Sequence, residues 1–144
     1  MSEQASAPPP VPQGRYRTAV LAGGLVYSAG MTPRRAGNLV VTGRVGQDLD
    51  LATASWAAGL AAGNALVAVS EAAGGLDLIE RCVRMTVYIC CTPEFTELSA
   101  VADGASAVLA ARLGEHALPV RAAVGVRALP GGAPVEVDLI VAVR

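Results

Sequence analysis

Arg121 and Glu136 stand fifteen positions apart in the block R-A-A-V-G-V-R-A-L-P-G-G-A-P-V-E-V-D-L-I-V-A-V of residues 121–143. Two alternating stretches flank the turn Pro130-Gly131-Gly132-Ala133, and alternation sends residues two apart to one face of a strand. Arg121, Ala123, Gly125 and Arg127 then share one side of the first strand. On the second strand, Glu136 and Asp138 oppose the apolar row Val135, Val137, Leu139, Val141 and Val143. If the turn closes a hairpin, Arg127 lies across from Glu136, and an ordinary cross-strand ion pair accounts for both. Arg121 falls opposite Ala142 and has no partner in its own hairpin. An unpaired guanidinium on a partly covered face is costly. Its planar fork therefore calls for a carboxylate, from a ligand or from another subunit. The small neighbours Ala123 and Gly125 leave room for one.

Other chemistries find little support. All eleven basic residues are arginine, so no lysine can form a Schiff base, and neither a phosphate-cradling G-x-x-x-x-G-K-[ST] loop nor G-x-G-x-x-G occurs. His116 is the only histidine and follows Gly114-Glu115 in an expected loop, which argues against a metal site or a catalytic triad. Cys90 and Cys91 are adjacent in a strand pattern and must face opposite sides, so they cannot share a metal; with Cys82 they read as small buried hydrophobes. No metal is expected. A net charge of −1 and 3% aromatic residues argue against nucleic acid as a partner.

The elements that must position these residues are legible in outline. Residues 1–14 are rich in Pro, Ser and Ala and are expected to be a disordered tail, with residues 15–144 forming one domain. Residues 17–21 and 25–28 flank Ala22-Gly23-Gly24 as a hairpin, and residues 30–46 read as loop with a short strand at 39–41. A first helix starts at the cap Asp50 and ends at Gly74-Gly75, presenting Trp56, Gly59, Leu60, Gly63, Leu66 and Val67 to a sheet. Residues 51–70 carry no charge, but eight alanines and no basic flank suit a buried helix better than a membrane span. Residues 81–90 alternate as a strand, with Val83, Met85, Val87 and Ile89 on one side. A second helix is expected from the cap Thr92, with Pro93 at its first position, through Phe95, Leu98, Ala102, Ala105 and Leu113 to Gly114. Strands, helix, strand, helix and hairpin make an α+β fold, a mixed sheet with two helices packed on one face.

At 53% hydrophobic residues and a mean hydropathy of +0.48, the chain is apolar for a monomer of 144 residues. This predicts surface hidden between subunits. Three cysteines and no secretory apolar stretch at the start point to a reducing cytoplasm.

The stretch P-V-R-A-A-V-G-V-R-A-L-P-G-G-A-P-V-E-V of residues 119–137 resembles the RidA/YjgF family pattern P-x-R-x-x-V-x-V-x-x-L-P-x-x-x-x-V-E-[IV] without a gap. Y-S-A-G-M-T-P, from Tyr27, is similar to that family's S-G-Q-[IV]-P strand end, and C-V-R-M-T-V-Y-I, from Cys82, to its central strand. The likeness runs from about Tyr16 to Val143. It implies a chorismate mutase-like (YjgF-like) homotrimer with sites in clefts between subunits, and deamination of 2-enamino and 2-imino acids to 2-oxo acids without a cofactor. By the same resemblance, Arg121 would clamp the substrate carboxylate and Glu136 would orient and polarise the attacking water. Tyr16 and the backbone of Gly30 would position substrate. Three positions depart from the pattern: Ala123 replaces a frequent cysteine, Met31 a glutamine, and Ser99 an asparagine of the second helix. These leave the anion clamp and alter the pocket walls. A non-catalytic binder of small carboxylates is the alternative to a deaminase, and ribonuclease activity, a label the family carries, conflicts with the charge balance.

Overall fold

The computed structural model describes residues 8–144; the expectation of disorder for the tail falls partly on residues 1–7, outside the described residues. Strands β1 (Ala19–Ala22) and β2 (Leu25–Ser28) form the expected hairpin, whose tip Gly23-Gly24 takes positive φ at both residues (60° and 77°). That turn matches the twist of antiparallel strands and suits glycine. Two short strands, β3 (Arg34–Arg35) and β4 (Asn38–Leu39), make a second hairpin in the stretch expected to be mostly loop.

Helix α1 (Leu51–Ala73) begins where Asp50 caps it: its Oδ1 accepts from the Thr53 N–H at 2.8 Å. It ends at Gly74 in the left-handed conformation. Of the expected face, Gly59, Leu60, Gly63 and Leu66 are buried, but the buried side is wider and leaves Trp56 out. Ala54, Ala57, Ala58, Ala61, Ala65 and Ala68 are buried, whereas Trp56 is 49% exposed beneath the Arg35 guanidinium. Alanines let the helix backbone settle close to the sheet, and an indole does not fit that gap. Although long and apolar enough to cross a membrane, α1 is the core helix here, with two thirds of its most apolar window buried.

Strand β5 (Ile79–Cys90) is the longest and lies fourth in a five-stranded sheet ordered β1-β2-β7-β5-β6. Irregularities at Ile79/Arg81 and Cys82/Arg84 shift its phase. Cys82 therefore joins Met85, Val87 and Ile89 in the core, while Val83, expected on that face, is exposed. Helix α2 (Leu98–Leu113) starts later than expected. Thr92 is not its cap, because its N–H bonds the Val45 carbonyl and its own carbonyl closes a turn to Phe95. The end at Gly114 is as expected.

The largest correction concerns the C-terminal block. Strand β6 (Val120–Val126) and strand β7 (Val135–Val143) are not a hairpin. β6 pairs parallel with one edge of β5, and β7 pairs antiparallel with the other edge and with β2. α2 is the cause: a helical crossover returns the chain parallel beside the strand it left. The connection from Arg127 to Pro134 then passes over the end of β5, where Cys90 donates its N–H to the Pro134 carbonyl at 2.8 Å.

Both helices cover one sheet face, against Val26, Met85, Val87, Ile89, Val135, Val137, Leu139 and Val141. They touch at Gly59 and Gly104, where a Cβ on Gly59 would lie 3.1 Å from the Gly104 carbonyl oxygen. The other face carries Val20, Tyr27, Val120 and Val124, all exposed, with Val120 at 66%.

Candidate functional site

The β5–β6 register sets Arg121 beside Met85 and Ala123 beside Val87. Neighbouring residues of a sheet share a face, so Arg121 and Ala123 look toward the helices, not away from the core. Arg121 sits on the edge strand and reaches α2. Its Nη1 donates to Asp103 Oδ1 at 2.8 Å and to Ser106 Oγ at 2.8 Å; its Nη2 donates to the Ser99 carbonyl at 2.9 Å and Ser99 Oγ at 2.7 Å. The expectation that its partner must come from a ligand or another subunit is corrected: α2 of the same chain supplies four acceptors. The Arg121–Asp103 contact is the one ion pair found among the described residues. Arg121 is 21% exposed and Asp103 70%, so the carboxylate stands on the solvent side of the guanidinium. A pair so exposed at one end contributes about 0–1 kcal/mol.

Glu136 lies across β5–β7 from Tyr88, in phase with Asp138 and Thr86, on the face free of helices. The expected ion pair with Arg127 does not form: β5 stands between the two strands, and Arg127 is an exposed residue just past the end of β6. Burial, reinforced by the neighbouring Asp138 charge, pushes the Glu136 carboxyl above the ordinary carboxylate range. Burial raises Asp138 too, against the opposing pull of the Tyr88 hydroxyl, which donates to its Oδ2 at 3.2 Å.

Gly30 lies directly against Glu136, and a Cβ at that position would run into the Glu136 carboxyl group. The next residue, Met31, is buried and exchanges two backbone hydrogen bonds with Val137, both at 2.8 Å. Gly30 and Met31 also line a cleft of 720 Å³ with Tyr16, Arg34, Arg35 and Asn64. Asn64 Nδ2 holds the cleft's loop by donating to the Thr32 and Arg34 carbonyls at 3.1 and 3.0 Å. The Tyr16 hydroxyl accepts from the Gln13 N–H at 2.8 Å.

The seven residues singled out from the sequence thus divide into two groups. Tyr16, Gly30, Met31 and Glu136 gather around the end of β2 and the start of β7; Arg121, Ala123 and Ser99 gather under α2 at the β6 edge. Asp103, Ser106, Tyr88 and Asp138 were missed. Ser99, Asp103 and Ser106 did carry a signal, since i, i+4 and i+7 place three polar residues on one helix face.

An α+β domain with both helices on one side of a mixed sheet, a glycine against a half-buried glutamate and an arginine on the edge strand define a YjgF-like protein. The endoribonuclease L-PSP family profile matches residues 6–143, and the chain belongs to that family, to which the RidA and YjgF proteins also belong. It is 36% identical over 134 residues to protein TCP17 of Trypanosoma cruzi, covering 90% of this chain and 82% of that one. A crystal structure of an Agrobacterium tumefaciens protein of unknown function is 40% identical and superposes with a TM-score of 0.87 over 90% of this chain and 82% of the other. RidA from the Antarctic bacterium Psychrobacter is 27% identical, with a TM-score of 0.66 over 99% and 97% of the two chains.

Proposed function

We propose that this protein is a RidA-like deaminase that hydrolyses 2-enamino and 2-imino acids to 2-oxo acids and ammonia, at sites completed between the subunits of a homotrimer. The observation that carries this reading is Glu136: a half-buried carboxyl with a raised pKa, packed on the bare backbone of Gly30, within the family's most specific motif. Water adds to the imine carbon while the Glu136 carboxylate takes one of its protons and passes it to nitrogen. The hydroxyl of the resulting carbinolamine then gives its proton, again through Glu136, to the amine, and ammonia leaves as the carbonyl forms. A carboxyl shifted toward neutral pH suits both halves of that transfer. Arg121 holds the substrate carboxylate with its fork.

Within one subunit Arg121 and Glu136 face opposite sides of the sheet, so one small substrate cannot touch both. A second copy docked on the helix-free face supplies the missing half, and the exposed Val20, Tyr27, Val120 and Val124 favour such burial.

The test generates imino acid with an amino-acid oxidase and follows competition between hydrolysis and semicarbazide trapping. Wild type is expected to divert imine from the trap, and Arg121→Ala to lose that effect. Equal trapping with and without wild type would sink the catalytic claim. The second reading, a binder of small carboxylates without turnover, is favoured by the departures from the family pattern at Met31 and Ala123, which leave Arg121 in place. Calorimetry showing 2-oxo acid binding in a protein inactive in the trapping assay would select it.

A further inference from the structure

Arg121 is already engaged by a carboxylate that belongs to this chain. The geometry points to Asp103 as an intramolecular stand-in for the ligand: its carboxylate occupies the anion position of Arg121 and must leave when a small carboxylate binds there. This inference rests on the reading of Arg121 as a carboxylate clamp and adds a competitor to it.

Three features support it. Asp103 is 70% exposed and Arg121 only 21%, so a ligand arriving from solvent meets the Asp103 carboxylate before the guanidinium. Asp103 reaches Arg121 through one oxygen and one Nη1 contact; no second contact makes the pair bidentate. An incoming carboxylate that takes the Nη1 position vacated by Asp103, and accepts a hydrogen bond from the Ser106 hydroxyl beside it, therefore binds better than the residue it displaces. Finally, the remaining acceptors stay in place without Asp103. Ser99 uses its carbonyl and hydroxyl, and Ser106 its hydroxyl, to hold the guanidinium planar against α2. The hydroxyls can also rotate to donate toward an anion. Asp103 is thus separable from the scaffold that orients Arg121, and it imposes a threshold: only ligands whose carboxylate outcompetes an exposed ion pair are retained.

The test is calorimetric titration of the full-length protein with pyruvate, a minimal 2-oxo acid, for wild type, Asp103→Asn, Asp103→Ala, Arg121→Ala and Glu97→Gln. Glu97, the residue flanking the start of α2, is exposed and makes no side-chain cap hydrogen bond, so its neutralisation changes net charge equally without touching Arg121. Removing an exposed competing pair is expected to tighten pyruvate binding about two- to five-fold in Asp103→Ala, with Asp103→Asn in between. Glu97→Gln should match wild type, and Arg121→Ala should bind no pyruvate. Wild-type binding with equal or weaker binding in Asp103→Ala overturns the competitor role and leaves the clamp standing. Equal tightening by Glu97→Gln also overturns it, because the gain would then be one of overall charge. Absence of binding in wild type and both Asp103 variants removes the clamp itself, and the competitor with it.

Discussion

Arg121 and Glu136 stand on opposite faces of one sheet, on strands separated by β5: Arg121 pairs with Met85 on the helix-covered side and Glu136 with Tyr88 on the bare side. Two strand spacings, roughly 10 Å, and the thickness of the sheet keep their side chains apart. Any chemistry needing both must draw them from different copies of the chain. Mixed assemblies test this directly. Arg121→Ala and Glu136→Gln, each inactive alone, should regain about a quarter of wild-type hydrolysis when co-assembled, since random mixing leaves that share of shared sites intact. No recovery in verified mixed oligomers would assign both residues to one subunit's site and contradict the geometry.

Gly30→Ala separates folding from chemistry. The atoms its Cβ would meet all belong to the Glu136 side chain, a flexible neighbour that can move. The variant should fold and melt within a few degrees of wild type, yet misplace the carboxyl. A displacement of about 1 Å costs on the order of 100-fold in rate. Ammonia release alongside a thermal melt checks both parts, and full activity would detach Glu136's position from catalysis.

Glu136 and Asp138 set the sign of a pH dependence. Burial raises both carboxyls in the folded state, so the native protein holds protons that the unfolded chain releases. Their stabilising contribution is complete below the ordinary carboxylate range and is lost as pH rises through the raised folded values. Urea midpoints should therefore fall as pH rises above about 4, and Glu136→Gln should flatten that fall. An unchanged slope in Glu136→Gln would contradict the burial of this carboxyl.

Gly104→Ala probes the helix crossing. Its Cβ would strike the backbone carbonyl of Ser55 on α1, which cannot swing aside as a side chain can. Overpacking of this kind costs about 1–3 kcal/mol. Chemical denaturation is the measurement, and a loss below about 0.5 kcal/mol would mean the helices sit farther apart than described.

Arg127→Ala asks whether the cross-strand ion pair exists. With β5 between the strands, the substitution should shift stability by less than about 0.5 kcal/mol and leave the Glu136 pH dependence unaltered. A steeper pH dependence in the variant would restore the pair.

Local physics made much of this fold readable in the amino-acid sequence. The Gly23-Gly24 turn, the Asp50 cap, the Gly74 and Gly114 stops and the apolar row of β7 all follow from backbone conformation and side-chain period within a few residues. The motif around Arg121 and Glu136 marked both residues, because it too is local. What a period of two leaves open is the identity of the neighbouring strand. Only the fold, through the α2 crossover, set β6 beside β5 and sent β7 to β5's other edge. Bulges near Cys82 put that residue in the core in place of Val83, a shift that strict alternation does not contain. The strand pairing divided Arg121 from Glu136 and gave Arg121 its partners Ser99, Asp103 and Ser106 on α2. Residue chemistry and local conformation belong to the sequence; which charges meet depends on strand pairing, which is decided only when distant elements compete for the same edges.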